Sequence, residues 1–185
     1  MTDIRIRPAA PNDAAAVARL HADSWRRHYR GAYADAFLDG DVLSDRLALW
    51  EARLAAPDNA LTLLAEDSDE HATAFVHVVF DDDPVWGSLI DNLHVTLTRQ
   101  RSGVGRLLLE QAAQAAADAS PTRGLYLWVL RQNDAAQAFY QTMGGKIVEE
   151  AKVGAPNGIA GRLVGEPVKL RVAWSDAGEV GSGRL

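Results

Sequence analysis

The stretch from Asp91 to Leu109, DNLHVTLTRQRSGVGRLLL, holds the residues whose types and spacing best suit chemistry. An apolar run passes into a basic turn punctuated by glycine, and the turn opens at once into a helix-forming run. Gln100-Arg101-Ser102-Gly103-Val104-Gly105 has the form Q-x-x-G-x-G. Such a turn at a helix start leaves several backbone N–H groups unpaired and pointing the same way, and the helix dipole adds partial positive charge. The combination favours an anion, phosphate above all. Arg99, Arg101 and Arg106 place cations around it. A P-loop is excluded, because its second glycine is followed by Lys and then Ser or Thr, where this chain has Arg106 and Leu107. A dinucleotide fingerprint is excluded too: it needs a small residue where Leu108 stands, and it lies on the first strand of its unit, whereas much of this chain precedes the loop. The glycines alone would equally suit an ordinary strand-to-helix turn.

A second group follows downstream. Leu125-Tyr126-Leu127-Trp128-Val129-Leu130 reads as a buried strand; Arg131-Gln132-Asn133-Asp134 leads into a helix running to Met143, closed by Gly144-Gly145. Asn133 and Tyr140 are seven residues apart, almost two turns, so they share a side of that helix. Asn133 reads either as a helix N-cap or as a ligand contact. Tyr140 reads either as a packing partner beside Phe139 or as a proton donor, since a phenol can protonate a departing thiolate.

The two groups, in this order and spacing, resemble the motifs of the GCN5-related N-acetyltransferase (GNAT) superfamily: Q/R-x-x-G-x-G/A after a strand, then a strand, an Asn, and a helix carrying a Tyr before a glycine turn. The resemblance covers roughly residues 4–174. It implies an α/β fold with a mixed central sheet of about seven strands, helices on both faces, and the order βααβββαβαββ. It implies acetyl-CoA as the cofactor, held by the backbone of Leu93, His94 and Val95, on a strand that splays from its neighbour in this family. The remaining contacts would be Arg99, Gln100, Arg101, Ser102, Gly103, Val104, Gly105 and Arg106, together with Asn133, Phe139 and Tyr140. Tyr140 would be the general acid. The implied activity is acetyl-CoA-dependent N-acetyl transfer to a primary amine of a small molecule; the alternatives are a protein or peptide amine, or a non-catalytic acyl-CoA-binding module.

Transfer from a thioester to an amine needs a neutral amine, donors for the carbonyl oxygen, and a proton for the leaving thiolate. For the base the chain offers Asp91 and His94 on the strand before the loop, with His77 a weaker third. A regular strand puts Asp91 and Leu93 on one face and His94 on the other. Their plainer readings are a solvated carboxylate and a packed histidine. With no cysteine, transfer is expected to be direct rather than through an acyl-enzyme. For the acceptor, Trp25, His28 and Tyr29 fall at helical spacing on one face, with Tyr33 close behind and Asp35, Asp39, Asp41 and Asp45 following. They read as aromatic walls plus carboxylates for a cationic amine, or as core packing with solvated charges beyond.

The elements that must position these groups are legible in outline. Strands are expected at 3–7, 60–66, 71–80, 86–95, 125–130, 145–152 and 167–174, with a hairpin turn at 67–70. Helices are expected from Pro11-Asn12-Asp13 to about Tyr29, over 34–55, 103–118 and 134–143. The helix after the loop should bury Val104, Leu107, Leu108, Gln111, Ala112 and Ala115. Pro121 to Gly124 reads as a break and 154–166 as a Gly- and Pro-rich connection. Residues 1–174 read as a single domain, and 175–185, with three glycines and no apolar pattern, as a disordered tail.

Composition agrees. The chain has 185 residues, 48% hydrophobic and 24% charged, in the range of a globular domain with a sizeable core. The absence of cysteine removes disulfides and thiolate metal sites, and no metal is expected. A net charge of −6 argues against a nucleic-acid surface. The N-terminus has no signal-like apolar run and no stretch approaches a membrane span, so a cytoplasmic setting without membrane contact is expected. The expected partner is a small-molecule amine, and a homodimer is compatible with the sequence.

Overall fold

The computed structural model describes residues 4–120 and 122–182. Asp3 of the expected first strand, Pro121 of the expected break and residues 183–185 of the expected tail lie outside them. The strands are β1 (Arg5–Pro8), β2 (Ala60–Glu66), β3 (Ala72–Asp83), β4 (Gly87–Val95), β5 (Leu125–Leu130), β6 (Lys146–Lys152) and β7 (Val168–Trp174). They form one mixed sheet in the spatial order β1-β2-β3-β4-β5-β7-β6. Only β4 and β5 run parallel; every other neighbouring pair is antiparallel. The helices are α1 (Ala14–His28), α2 (Asp35–Asp39), α3 (Val42–Ala55), α4 (Val104–Ala119) and α5 (Asp134–Thr142).

Period-two alternation sends the strand residues to two cores. On one face Val17, Ala18 and Trp50 of α1 and α3 pack against Leu64 and Phe75. On the other, Leu108, Leu109 and Ala112 of α4 pack against Val76, Val78, Leu127 and Val172, with Tyr140 and Met143 joining from the α5 side. Trp50 is completely buried, and its truncation to alanine would cost about 3–5 kcal/mol. No helix among the described residues is long and apolar enough to cross a membrane.

Three expectations are corrected. The helical region 34–55 is broken into α2 and α3 at Gly40, where the backbone leaves helical values (φ −105°, ψ −100°). The buried stripe of α4 is Val104, Leu108, Leu109, Ala112, Ala113 and Ala116, while Leu107 is 48% exposed and Gln111 is exposed. Alanines on every side of this helix make the sequence pattern compatible with more than one rotation, and only docking selects one. Finally, the C-terminal segment is ordered through Ser182. A 3-10 turn spans Ala177–Glu179, and Ala177 and Val180, three residues apart, enter the α4-side core. Gly181 N bonds to Met143 O at 3.1 Å.

Candidate active site

The site begins with a break in the sheet. β4 and β5 pair only through Ser88, Leu89 and Ile90 against Leu125, Tyr126 and Leu127. Beyond Ile90 they part, although β4 stays paired with β3 as far as Val95. The cause is local. His77 pairs with Asn92 and Val78 with Ile90, so Asp91 is an extra residue in β4, a β-bulge. A bulge bends its strand and increases the twist, here at the residue where the parallel pairing stops. The wedge leaves the edge of β4 at Leu93, His94 and Val95 without a strand partner on the β5 side.

The bulge also overturns the expected alternation. Leu93 and Val95 pack toward the α4-side core, but Asp91 does not share their face. It points toward α1 and α3, where Arg53 donates to its carboxylate at 2.7 Å and Asn92 Nδ2 donates to the same oxygen at 2.7 Å.

At the mouth of the wedge lies the glycine loop. Gly103 caps α4 in the left-handed region at φ 88°, and a side chain there would meet open space. A side chain at Gly105 would approach Val95 Cγ2 to 3.3 Å and Phe139 to 3.9 Å, so this glycine lets α4 pass close to both β4 and α5. Leu107 is the first amide of α4 to reach a helical carbonyl, that of Gly103, at 3.1 Å. Among the described residues the amides of Val104, Gly105 and Arg106 bond to no backbone carbonyl, which is the donor set an anion requires. Gln100, Arg101, Ser102 and Gly103 are exposed around it. The three arginines differ. Arg101 is exposed with no ion-pair partner among the described residues; Arg99 stands 3.5 Å from Asp67; Arg106 is turned along the helix to Glu110 (2.8 Å) and the Gly181 carbonyl (3.1 Å).

Asn133 is the N-cap of α5: its Oδ1 accepts from Ala136 N at 3.2 Å. Gln132 beside it donates to the carbonyls of His28 and Arg30 at 3.0 and 2.9 Å, tying the start of α5 to the end of α1. Tyr140 is buried edge-on to Phe139 and Trp174, with ring centroids 5.2 and 6.4 Å away. Burial pushes its phenol pKa up, so the group stays protonated at neutral pH. Its hydroxyl has no hydrogen-bond partner among the described residues.

Behind the wedge a cavity of about 300 Å³ opens between α1, α3, β4, β5 and the β6–β7 end of the sheet. Its walls include Trp25, Tyr29 and Tyr33, whose rings lie 4.6–5.4 Å apart. Burial raises the pKa of Tyr29 and pushes that of Tyr33 up to about 12. His28, expected beside these aromatics, does not line the cavity; the lining stripe of α1 runs His21, Trp25, Tyr29 at i, i+4 spacing and His28 is on its flank. His21 was missed by the sequence reading. Its Nδ1 accepts from Trp50 Nε1 at 3.0 Å, which leaves the proton on Nε2, and burial drives its pKa down. It is therefore a neutral donor, not a base.

The expected carboxylates are elsewhere. Asp35 and Asp39 bind Arg30 at the surface, Asp41 is exposed, and Asp45 is held by Arg46 and Arg162. Instead Arg46, Arg53 and Lys169 line the cavity, with Asp91 as the one carboxylate among the described residues. Arg46 and Arg53 stand seven residues apart on one face of α3, a spacing the sequence does show; Lys169 and Trp128 arrive from β7 and β5 and had no local signal. Of the candidate bases, His94 is 5% exposed on the α1 side of β4, away from the cavity, with Nε2 3.7 Å from Asp23 and without a hydrogen bond among the described residues. Burial lowers its pKa to about 4. His77 is buried as well, sharing a 2.8 Å hydrogen bond with Thr62, and burial lowers its pKa to about 4.

A family model described as the acetyltransferase (GNAT) family matches residues 16–144. A Mycobacterium tuberculosis protein described as a probable N-acetyltransferase is 26% identical over an alignment 155 residues long that covers 76% of this chain and 78% of that protein. A GNAT-family acetyltransferase of Streptococcus pneumoniae superposes with a TM-score of 0.64 at 25% identity, over 93% of this chain and 98% of the other. PaiA N-acetyltransferase of Thermoplasma acidophilum, solved with coenzyme A, gives 0.68 at 18% identity over 93% and 99%.

Proposed function

The chain belongs to the acetyltransferase (GNAT) family, and from that premise we propose that it transfers the acetyl group of acetyl-CoA directly to the primary amine of a small molecule. It is an acetyltransferase, and acetyl-CoA is its donor. The observation that carries the small-molecule reading is the aromatic-walled cavity of about 300 Å³ behind the β4–β5 wedge, at the lower end of the volumes of small-ligand sites.

The residues present fit the donor. The free amides at the start of α4 and exposed Arg101 suit a pyrophosphate, and the unpaired edge of β4 suits an extended amide chain entering the wedge. Acetyl-CoA supplies an activated thioester. The amine nitrogen forms the new C–N bond, the C–S bond breaks, the amine proton leaves to solvent, and the thiolate takes a proton. We assign that last proton to Tyr140, whose buried phenol is protonated at neutral pH. Asp91 is assigned to the amine, as the one carboxylate in the cavity lining among the described residues, acting through water.

The test is thiol release, read with a thiol-reactive dye over a panel of small amines and peptide N-termini, with products identified by mass spectrometry. Small amines should turn over and initial-rate plots should intersect, as for a ternary complex. Turnover of peptides alone would replace the small-molecule reading. Parallel lines with an isolable acetyl-enzyme would replace the direct route. Binding of acetyl-CoA without turnover of any amine would leave a binding module.

A further inference from the structure

Resting on that reading of the cavity, we propose that the acceptor is a small amine that also carries an oxyanion, a carboxylate or a phosphate, and is not a polycation. The argument is one of charge. Among the described residues the lining brings Arg46, Arg53 and Lys169 together against Asp91 alone. Arg53 and Asp91 offset each other at 2.7 Å. Arg46 and Arg162 divide the single carboxylate of Asp45, at 2.5 and 2.7 Å, so that group retains positive charge. Arg46 is 5% exposed and stacked over Trp25 at 4.1 Å, which fixes its guanidinium against the cavity wall. Lys169 has no carboxylate within ion-pair distance among the described residues; its ammonium lies 4.4 Å above the Trp128 ring.

Burial first, and then the neighbouring Arg171, lower the Lys169 pKa against a smaller opposing pull from Glu149. The overall charge of −6 makes this local excess a property of the site and not of the whole surface. An anionic group on the acceptor would supply the missing countercharge in a partly desolvated place, where charge-assisted hydrogen bonds are strongest. A diamine would instead bring further positive charge against it. The volume of about 300 Å³ corresponds to roughly ten waters, room for an acceptor of amino-acid size.

The test compares four acceptor series of matched chain length: amino carboxylic acids, aminoalkyl phosphonates, neutral alkylamines and diamines. Wild-type enzyme should show kcat/KM at least tenfold higher for one of the anionic series than for the diamines, and the two anionic arms tell carboxylate from phosphate. Lys169→Met should raise KM for that series by about tenfold with little change in kcat, and Lys169→Arg should restore it. Equal or better use of diamines or neutral alkylamines by the wild type overturns the inference and leaves the acetyltransferase reading standing, because thiol is still released. Unchanged discrimination in a folded Lys169→Met also overturns it. Failure of every amine, with acetyl-CoA binding intact by calorimetry, overturns both readings.

Discussion

Arg53 of α3 donates to the carboxylate of Asp91 at 2.7 Å, across 38 positions of sequence, and so latches the helix layer to the one bulged residue of β4. The same carboxylate faces the cavity. Asp91→Asn keeps the shape and an acceptor oxygen but removes the charge. With both side chains about 30% exposed, the pair contributes up to about 1 kcal/mol to stability, so the melting temperature should fall by a few degrees at most. Turnover should fall by roughly tenfold or more at neutral pH with acetyl-CoA affinity unchanged. Full activity in a folded mutant would reduce Asp91 to a latch.

Tyr140→Phe deletes one oxygen that has no partner among the described residues, so folding should be preserved. If the hydroxyl protonates the thiolate, kcat should drop by roughly 10²–10⁴-fold, with acetyl-CoA binding altered much less, because the contribution arises in the transition state. The melting temperature is measured alongside. Near-full turnover would make Tyr140 a packing residue of the Phe139–Trp174 cluster.

Gly103 offers a charge test at the loop. Its neighbourhood is open but its φ of 88° is strained for other residues. Asn and Asp tolerate this region about equally, so Gly103→Asn controls for strain. Gly103→Asp should weaken acetyl-CoA at least tenfold by calorimetry, about 1.4 kcal/mol, and clearly more than Gly103→Asn. Equal effects of the two variants would remove the anion from the start of α4.

Buried histidines set an acid limit on stability. Burial lowers the pKa of His21, and lowers those of His77 and His94 to about 4. The unfolded chain titrates near 6.5, so it binds protons first. The stabilisation is complete above about pH 6.5 and is lost as pH falls from there toward 4, by up to about 1.4 kcal/mol per pH unit for each histidine. Melting temperatures should decline through that window, before the carboxylates of Asp13 and Asp45, both held low by arginine partners, begin to protonate.

His94→Leu should flatten part of that decline and need not destabilise at neutral pH, since it removes a buried nitrogen without a partner. Its ring is on the α1 side near Asp23, away from the cavity, so kcat should hold within a few-fold. Loss of turnover in the folded variant would return His94 to the list of bases.

What could be read from the residues was what short-range sterics and local capping control. The apolar run Leu125–Leu130 is β5 at its expected bounds, Gly103 takes the left-handed position the loop requires, and Asn133 caps α5. Each depends on neighbours within a few positions, so its signal lies in a short window. The family motifs are of this kind, which is why the fold class and the acetyltransferase family were accessible from them.

The rest depended on partners far along the chain. A bulge is a mismatch in count between two strands, and nothing in IDNLHV alone distinguishes Asp91 as the extra residue; pairing with His77 and Val78 decides it. The wedge, and the face Asp91 presents, follow from that mismatch. The rotation of α4 was ambiguous because alanine fits every side, and docking on β3 resolved it. The aspartates of residues 35–45 look like a cation site in sequence, but Arg30, Arg46 and Arg162 claim three of them. Arg46, Arg53 and Lys169 meet because α3 and β7 are brought to one cavity. Coulomb forces act through space and disregard sequence distance, so beyond the Arg46–Arg53 spacing on α3 the charge of this pocket was decided by tertiary structure.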